Sequence, residues 1–210
     1  MDTDEFWNLI ETARSNTTAD HRFHQAMVAL LVYRSPPDIL EYEARFDALH
    51  DALYRWDVWA AAYLIGGGCS DDSFMDFRAG LITQGRTWYE RAAAAPDRLG
   101  DHPEVIAAAS AFEDRALFYE EVNYCAAEAY EHHTGDPDAF YEAWKQYEAD
   151  HPDPGPETDM GEDFDFDDAG EMQGRLPRLA ALFLADGSAD GCLQQQDRLR
   201  VRGFEGSSHE

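Results

Sequence analysis

Lysine is almost absent from this 210-residue sequence, because 15 of its 16 basic residues are arginine and Lys145 is the exception. Against these stand 43 Asp and Glu residues, which give a formal net charge of −27. A surface of this sign repels the phosphate backbone of nucleic acids. The composition therefore argues against a DNA- or RNA-binding protein.

Cysteine and long apolar runs are also scarce. The three cysteines, Cys69, Cys125 and Cys192, are widely spaced and form no C-x-x-C pair. This pattern excludes a disulfide framework and an all-cysteine zinc site. The sequence contains no apolar run of about 18 residues, and the acidic opening MDTDE does not resemble a secretory signal. We therefore expect a cytoplasmic protein that does not associate with membranes.

What the sequence does contain is helical periodicity. Apolar residues recur at helical spacing to about residue 150, and no alternating run typical of a strand interrupts them. Ser35, followed by two prolines and Asp38, predicts a capped helix start, and the glycines at 66–68 predict a left-handed helix end. From His102 a helical pattern, unbroken or broken once, continues to Gly135. We predict an all-α, compact, single-domain multi-helix bundle over residues 1–184.

The composition changes near residue 151. Three prolines and then eight carboxylates in the fifteen residues 157–171 predict an acidic loop over about residues 151–171. Within it Phe164 and Phe166 alternate with aspartates, so either they dock on the helices or the segment is a strand that binds a partner. The loop lacks the glycine and the glutamate that a calcium-binding loop needs at its sixth and twelfth positions. Residues 185–210 are polar and are predicted to form a flexible tail.

Several motifs together resemble one known family. They are FWNLI at 6–10, GGCSDDSF at 67–74, FR at 77–78, LI at 81–82, QG at 84–85 and LPRL at 176–179. In these motifs the sequence resembles the uncharacterised bacterial domain of unknown function family 4240, over roughly residues 4–184. It departs from the family pattern in a third glycine at 66–68, in Gly80 where a large residue is expected, and in Phe164 where tryptophan is expected. The resemblance supports the helical fold and the domain bounds, and it implies no activity.

The best candidate site is a glycine-rich turn that leads into a helix. We call it the corner, and it comprises Gly67, Gly68, Cys69, Ser70, Asp71, Asp72 and Arg78. Free N–H groups at a helix start bind anions, but here two aspartates take that position. On a structural interpretation, Ser70 caps the helix, the aspartates complement its dipole, and Arg78 pairs with one of them. On a functional interpretation, the corner binds a cation, a basic peptide or a guanidinium group.

The residues of other possible catalytic or metal sites are incomplete. The carboxylates that follow Cys69 oppose formation of a reactive thiolate. Pairs of potential metal ligands occur at helical spacing, but H-E-x-x-H is absent, and such pairs arise by coincidence with eight His among 43 acids. These pairs are His21 with His24, Asp47 with His50, and Glu128 with His132. We expect neither a metal nor a cofactor.

Three classes of function remain open. The first is an acidic helical interaction or regulatory module that binds a basic protein or peptide. The second is an enzyme that uses Ser70, Asp71 and Asp72 with Arg78, and the third is a small-molecule or cation-binding protein at the same corner. Because no triad, phosphate loop or metal set is complete, the sequence favours the interaction module over the enzyme.

Overall fold

The computed structural model describes residues 1–152 and 159–184, and the predicted tail over residues 185–210 lies outside them. The helices are α1 (Thr3–Asn16), α2 (Phe23–Leu31), α3 (Pro36–Asp51), α4 (Trp56–Gly66), α5 (Asp71–Thr83), α6 (Arg86–Ala94), α7 (Pro103–Ala111), α8 (Cys125–Thr134), α9 (Ala139–Asp150), α10 (Ala169–Arg175) and α11 (Pro177–Phe183), with 3₁₀ helices at Pro96–Asp101 and Glu120–Tyr124. In these two ranges the only β pairing is an isolated bridge between Thr18 and His21. The prediction of an all-α fold is confirmed.

Local capping interactions set the helix ends where the sequence predicts them. The Asp2 carboxylate accepts a hydrogen bond from the Glu5 N–H at 2.8 Å and starts α1. Ser35 and Asp38 form a capping box at α3. Gly67 has a φ of 60° and ends α4 in the left-handed conformation. Because these interactions join residues within one turn, sequence pattern alone is enough to predict them.

Helix α5 is the centre of the fold. It packs against α3, α4, α6 and the second 3₁₀ helix. Phe74, Phe77, Leu81 and Ile82 are completely buried along it. A helix that is buried nearly all round must lie inside the bundle, so the corner, at its N-terminal end, is anchored to the core.

The long helical pattern that begins at His102 is not one helix. Helix α7 ends at Ala111, and residues 112–119 form an irregular loop before the second 3₁₀ helix. Phe112, Arg115 and Leu117 have positive φ values of 55°, 70° and 69°, which are unfavourable for residues other than glycine. We call residues 112–119 the strained loop. Apart from Phe112, its apolar side chains face the core, which is why the sequence pattern suggests a continuing helix.

The described residues 159–168 of the acidic segment contact the helices and lead into α10. Asp168 accepts hydrogen bonds from the N–H groups of Gly170 and Glu171 and caps α10, so helix begins before the predicted loop end at residue 171. The Phe166 ring packs against Trp56 and Tyr63, at centroid distances of 6.1 and 5.5 Å. The docking alternative is therefore confirmed, and the described residues 159–168 form no strand. In the part of the chain that the structure describes, no helix is long and apolar enough to span a bilayer.

Candidate functional site

The backbone conformation or close packing at positions 66–68 requires glycine at each of them. Gly67 and Gly68 have φ values of 60° and 120°, and the Gly68 N–H donates a hydrogen bond to the Tyr63 carbonyl at 2.9 Å. At Gly66 a Cβ atom would lie 2.9 Å from the ring of Phe118. Gly66 therefore lets the strained loop pack against the end of α4.

Ser70 begins α5 as a helix cap. Its Oγ accepts a hydrogen bond from the Ser73 N–H at 3.3 Å. Asp71 and Asp72 are exposed in the first turn of the helix, where negative charge complements the helix dipole. The cap and the two carboxylates have the arrangement of the structural interpretation, and they leave two negative charges on the surface.

Arg78 does not take the position that either interpretation gives it. Its guanidinium lies over the rings of both Tyr54 and Phe74, 4.8 and 4.9 Å from their centroids, and Nη1 donates to the His50 carbonyl at 3.1 Å. Helix geometry explains the difference, because Arg78 lies about 10 Å along the axis from Asp71. The predicted pairing of Arg78 with a corner aspartate is wrong, and burial lowers its pKa.

Arg115, from the strained loop, is the cation at the corner. Its Nη2 donates to the Ser73 Oγ at 3.5 Å, and its charge opposes the rise in the pKa values of Cys69 and Asp76. Sequence reasoning missed this residue. The available signal was that Arg115 is the only Arg or Lys between residues 103 and 134.

The Cys69 thiol is not activated. Burial raises its pKa to about 12, and Asp71 adds to the shift. Its S–H group donates to the Ser70 carbonyl, while the Cys69 carbonyl accepts a hydrogen bond from Trp59 Nε1 at 3.1 Å. A thiol with this pKa is protonated at neutral pH, so Cys69 does not have the properties of a nucleophile.

Carboxylates gather behind the corner, around Asp76. This side chain is 8% exposed and accepts a hydrogen bond from Asn123 Nδ2 at 3.2 Å. Burial raises its pKa, and the charges of Glu120 and Asp72 add to the effect. Among residues 1–152 and 159–184, however, no group of three or more His, Cys, Asp or Glu side chains could hold a metal ion.

The strained loop is held firmly but presents one aromatic side chain to solvent. Leu117 is completely buried, and the Phe118 ring lies 5.1 Å from that of Phe77. Phe112, in contrast, is 78% exposed. Arg115 joins the strained loop to the corner, and both segments carry exposed carboxylates.

Comparison with known proteins gives a family and no function. A family model described as a protein of unknown function (DUF4240) matches residues 1–132. No curated protein and no solved structure matches the chain. The matched residues include the corner and the strained loop, whereas the acidic loop and the LPRL motif lie beyond them. Because the match covers more than half of the sequence, the chain belongs to the DUF4240 family of proteins of unknown function.

Proposed function

We propose that this protein is an acidic interaction module that binds a basic segment of a partner protein. Phe112 serves as the apolar anchor, and exposed carboxylates on the strained loop and at the corner supply the negative charge. The observation that carries the proposal is the exposure of Phe112, at 78%, on a backbone with a φ of 55°.

Folding does not account for Phe112. A residue other than glycine in the left-handed conformation costs about 1–2 kcal/mol, and glycine is the usual residue at a helix end of this kind. The ring buries little surface that could offset this cost. Strained backbone of this type is concentrated at functional sites, and aromatic residues dominate the binding energy of protein interfaces. The position and type of the residue therefore suit a binding anchor.

Charge determines the class of partner. Glu113 follows the anchor directly and is exposed. Asp71 and Asp72 are also exposed, on the segment to which Arg115 is joined by its hydrogen bond with Ser73. In a chain with a net charge of −27, a basic partner associates faster and an acidic partner is repelled. The buried Leu117 fixes the loop, so that little conformational entropy is lost on binding. The corner offers less to an enzyme, because the Cys69 thiol is protonated and Arg78 points elsewhere.

The test must distinguish binding at the proposed surface from nonspecific attraction between a basic peptide and an acidic protein. We would measure, by fluorescence anisotropy, binding of a labelled peptide composed of arginine and leucine, and of a second peptide in which serine replaces leucine. For the leucine peptide, Phe112→Gly should weaken binding by about tenfold or more, as expected for a hot spot. Tyr33→Ser is the matched control, because Tyr33 is 90% exposed and lies in the turn that follows α2, outside the surface.

A second pair of variants tests the charges. The double variant Asp71→Asn/Asp72→Asn should weaken binding more than the double variant Glu142→Gln/Asp150→Asn, although each removes two negative charges. Equal losses in the two doubles, or equal effects of the Phe112 and Tyr33 variants, would show that only the net charge acts. Either result, or failure of the leucine peptide to bind the wild type at low salt, would overturn the proposal.

A further inference from the structure

A cleft of about 420 Å³ lies beside the end of the strained loop, away from the corner. It is bounded by the α1–α2 connection, by the C-terminal end of α5 and by residues 119–122. Arg14 and Arg22 both line it, in a sequence that has only 16 basic residues. Neither the candidate corner nor the proposed function uses this cleft.

The two arginines have unused hydrogen-bonding capacity. Arg14 Nη1 donates to Glu11 at 2.8 Å, and Arg22 Nη1 donates to Glu121 at 3.3 Å. A guanidinium carries five N–H donors in a planar fork, and each of these contacts uses one nitrogen. Both groups can therefore still bind a carboxylate through a free edge.

Carboxylates line the same cleft. Glu104 accepts a hydrogen bond from the Tyr119 hydroxyl at 2.6 Å, and Glu121 lies beside Arg22. The charges of Arg14 and Glu104 both act on the pKa of His102, which burial lowers. Arg22 with Glu121 thus gives the cleft one position at which opposite charges are close together, and Arg14 and Glu104 add one charge of each sign to its lining.

The remaining lining is partly apolar. Phe23 and Val122 contribute apolar surface. Gln84 Nε2 donates to the Gly80 carbonyl and to the Thr83 hydroxyl, at 3.3 and 3.0 Å, so polar side chains at the end of α5 are fixed by one another. A cleft of this volume with a few fixed polar groups is typical of small-molecule sites.

We propose that this cleft binds a free α-amino acid with an apolar side chain. The ligand carboxylate contacts Arg14 or Arg22, its ammonium group contacts Glu104 or Glu121, and its side chain lies against Phe23 and Val122. An inorganic phosphate would face the two carboxylates without compensation, and a ligand that carries only positive charge would face the two arginines. A zwitterion satisfies both sets of charges.

The test uses the full-length protein and three probes of similar shape. L-leucine carries both charges, isoamylamine lacks the carboxylate, and 4-methylpentanoate lacks the ammonium group. By isothermal titration calorimetry at neutral pH and constant ionic strength, leucine should bind at one site. Each analogue should bind about tenfold more weakly or worse, because one charged group of the site then lacks its partner.

Variants locate the site. Arg14→Gln with Arg22→Gln should reduce leucine affinity by about tenfold or more, whereas Arg86→Gln with Arg98→Gln, which lie outside the cleft, should leave it unchanged. Circular dichroism shows whether each double variant is folded, and the analogue series needs only the wild type. The proposal is wrong if leucine does not saturate by about 10 mM, if either analogue binds as tightly as leucine, or if both double variants lose affinity equally. None of these results bears on the peptide surface at Phe112, so the two proposals fail independently.

Discussion

The carbonyl oxygen of Leu117 occupies the space that a Cβ atom at position 80 would fill. Gly80 lies inside α5, where glycine costs about 1 kcal/mol relative to alanine. The close approach of the strained loop explains why glycine is present despite this cost. A large side chain at position 80 would overlap the backbone of residue 117.

Gly80→Ala should therefore destabilise the protein, although alanine is the better helix former. The loop must move, and we expect a loss of about 2–4 kcal/mol in the free energy of unfolding, measured with urea. Gly174→Ala is the control, because among the described residues, and apart from the backbone of α10 itself and the adjacent residues, no atom lies within 4 Å of its Cβ position. That variant should gain about 0.5–1 kcal/mol. An unchanged or increased stability of Gly80→Ala would contradict the loop path described above.

Phe112→Gly should not destabilise the protein. Glycine removes the left-handed strain, its greater freedom in the unfolded chain offsets part of that gain, and the lost ring is 78% exposed. We expect the free energy of unfolding, measured in urea melts, to stay the same or to increase by up to about 1 kcal/mol. Phe118→Ala, which removes the ring packed on Phe77, should instead lose about 3 kcal/mol. A clear loss for Phe112→Gly would mean that this ring supports the fold.

Glu43 should make stability depend on pH. Burial, with Asp47 as a second cause, raises its pKa from 4.5 to about 8. Between these values the folded state holds a proton that the unfolded state releases, so the contribution of Glu43 to the free energy of unfolding falls as pH rises.

Glu43→Gln keeps the shape of the side chain and removes this effect. The variant should be more stable than the wild type at pH 8, by on the order of 1–3 kcal/mol, and nearly equal to it at pH 4. The measurement is a series of urea melts across this range. Glu142→Gln, an exposed residue on α9, should show no such pH-dependent difference. A difference that does not change with pH would refute a Glu43 that is protonated in the folded protein.

Tyr63 should hold the acidic loop on α4. Its hydroxyl donates to the Asp167 carboxylate at 2.5 Å, and this hydrogen bond is the main cause that raises its pKa to about 12. Tyr63→Phe and Asp167→Asn should each cost about 0.5–1.5 kcal/mol. In a double-mutant cycle the two losses should be clearly less than additive. Fully additive losses would show that the hydrogen bond does not stabilise the loop.

Part of the candidate site was predictable from the sequence, and the reason is local. Ser70 as a cap, the left-handed glycine before it and the two carboxylates in the first turn all depend on neighbours within about four residues. Arg78 was assigned a wrong partner because spacing on one helix does not show which ring or carbonyl another helix will offer. Arg115 and Phe112 were missed because apolar residues around them continue the helical pattern.

The sequence by itself determined the all-α class, the negative surface and the capped helix ends, because composition and one-turn interactions suffice for these features. Only the tertiary structure decided the path of the strained loop, the exposure of Phe112 and the meeting of Arg14, Arg22, Glu104 and Glu121 in one cleft. These features depend on contacts between residues that are distant in the chain, such as Gly80 with Leu117 and Arg22 with Glu121. Periodicity shows which side chains are buried, but close packing of particular backbones and side chains determines which of them meet.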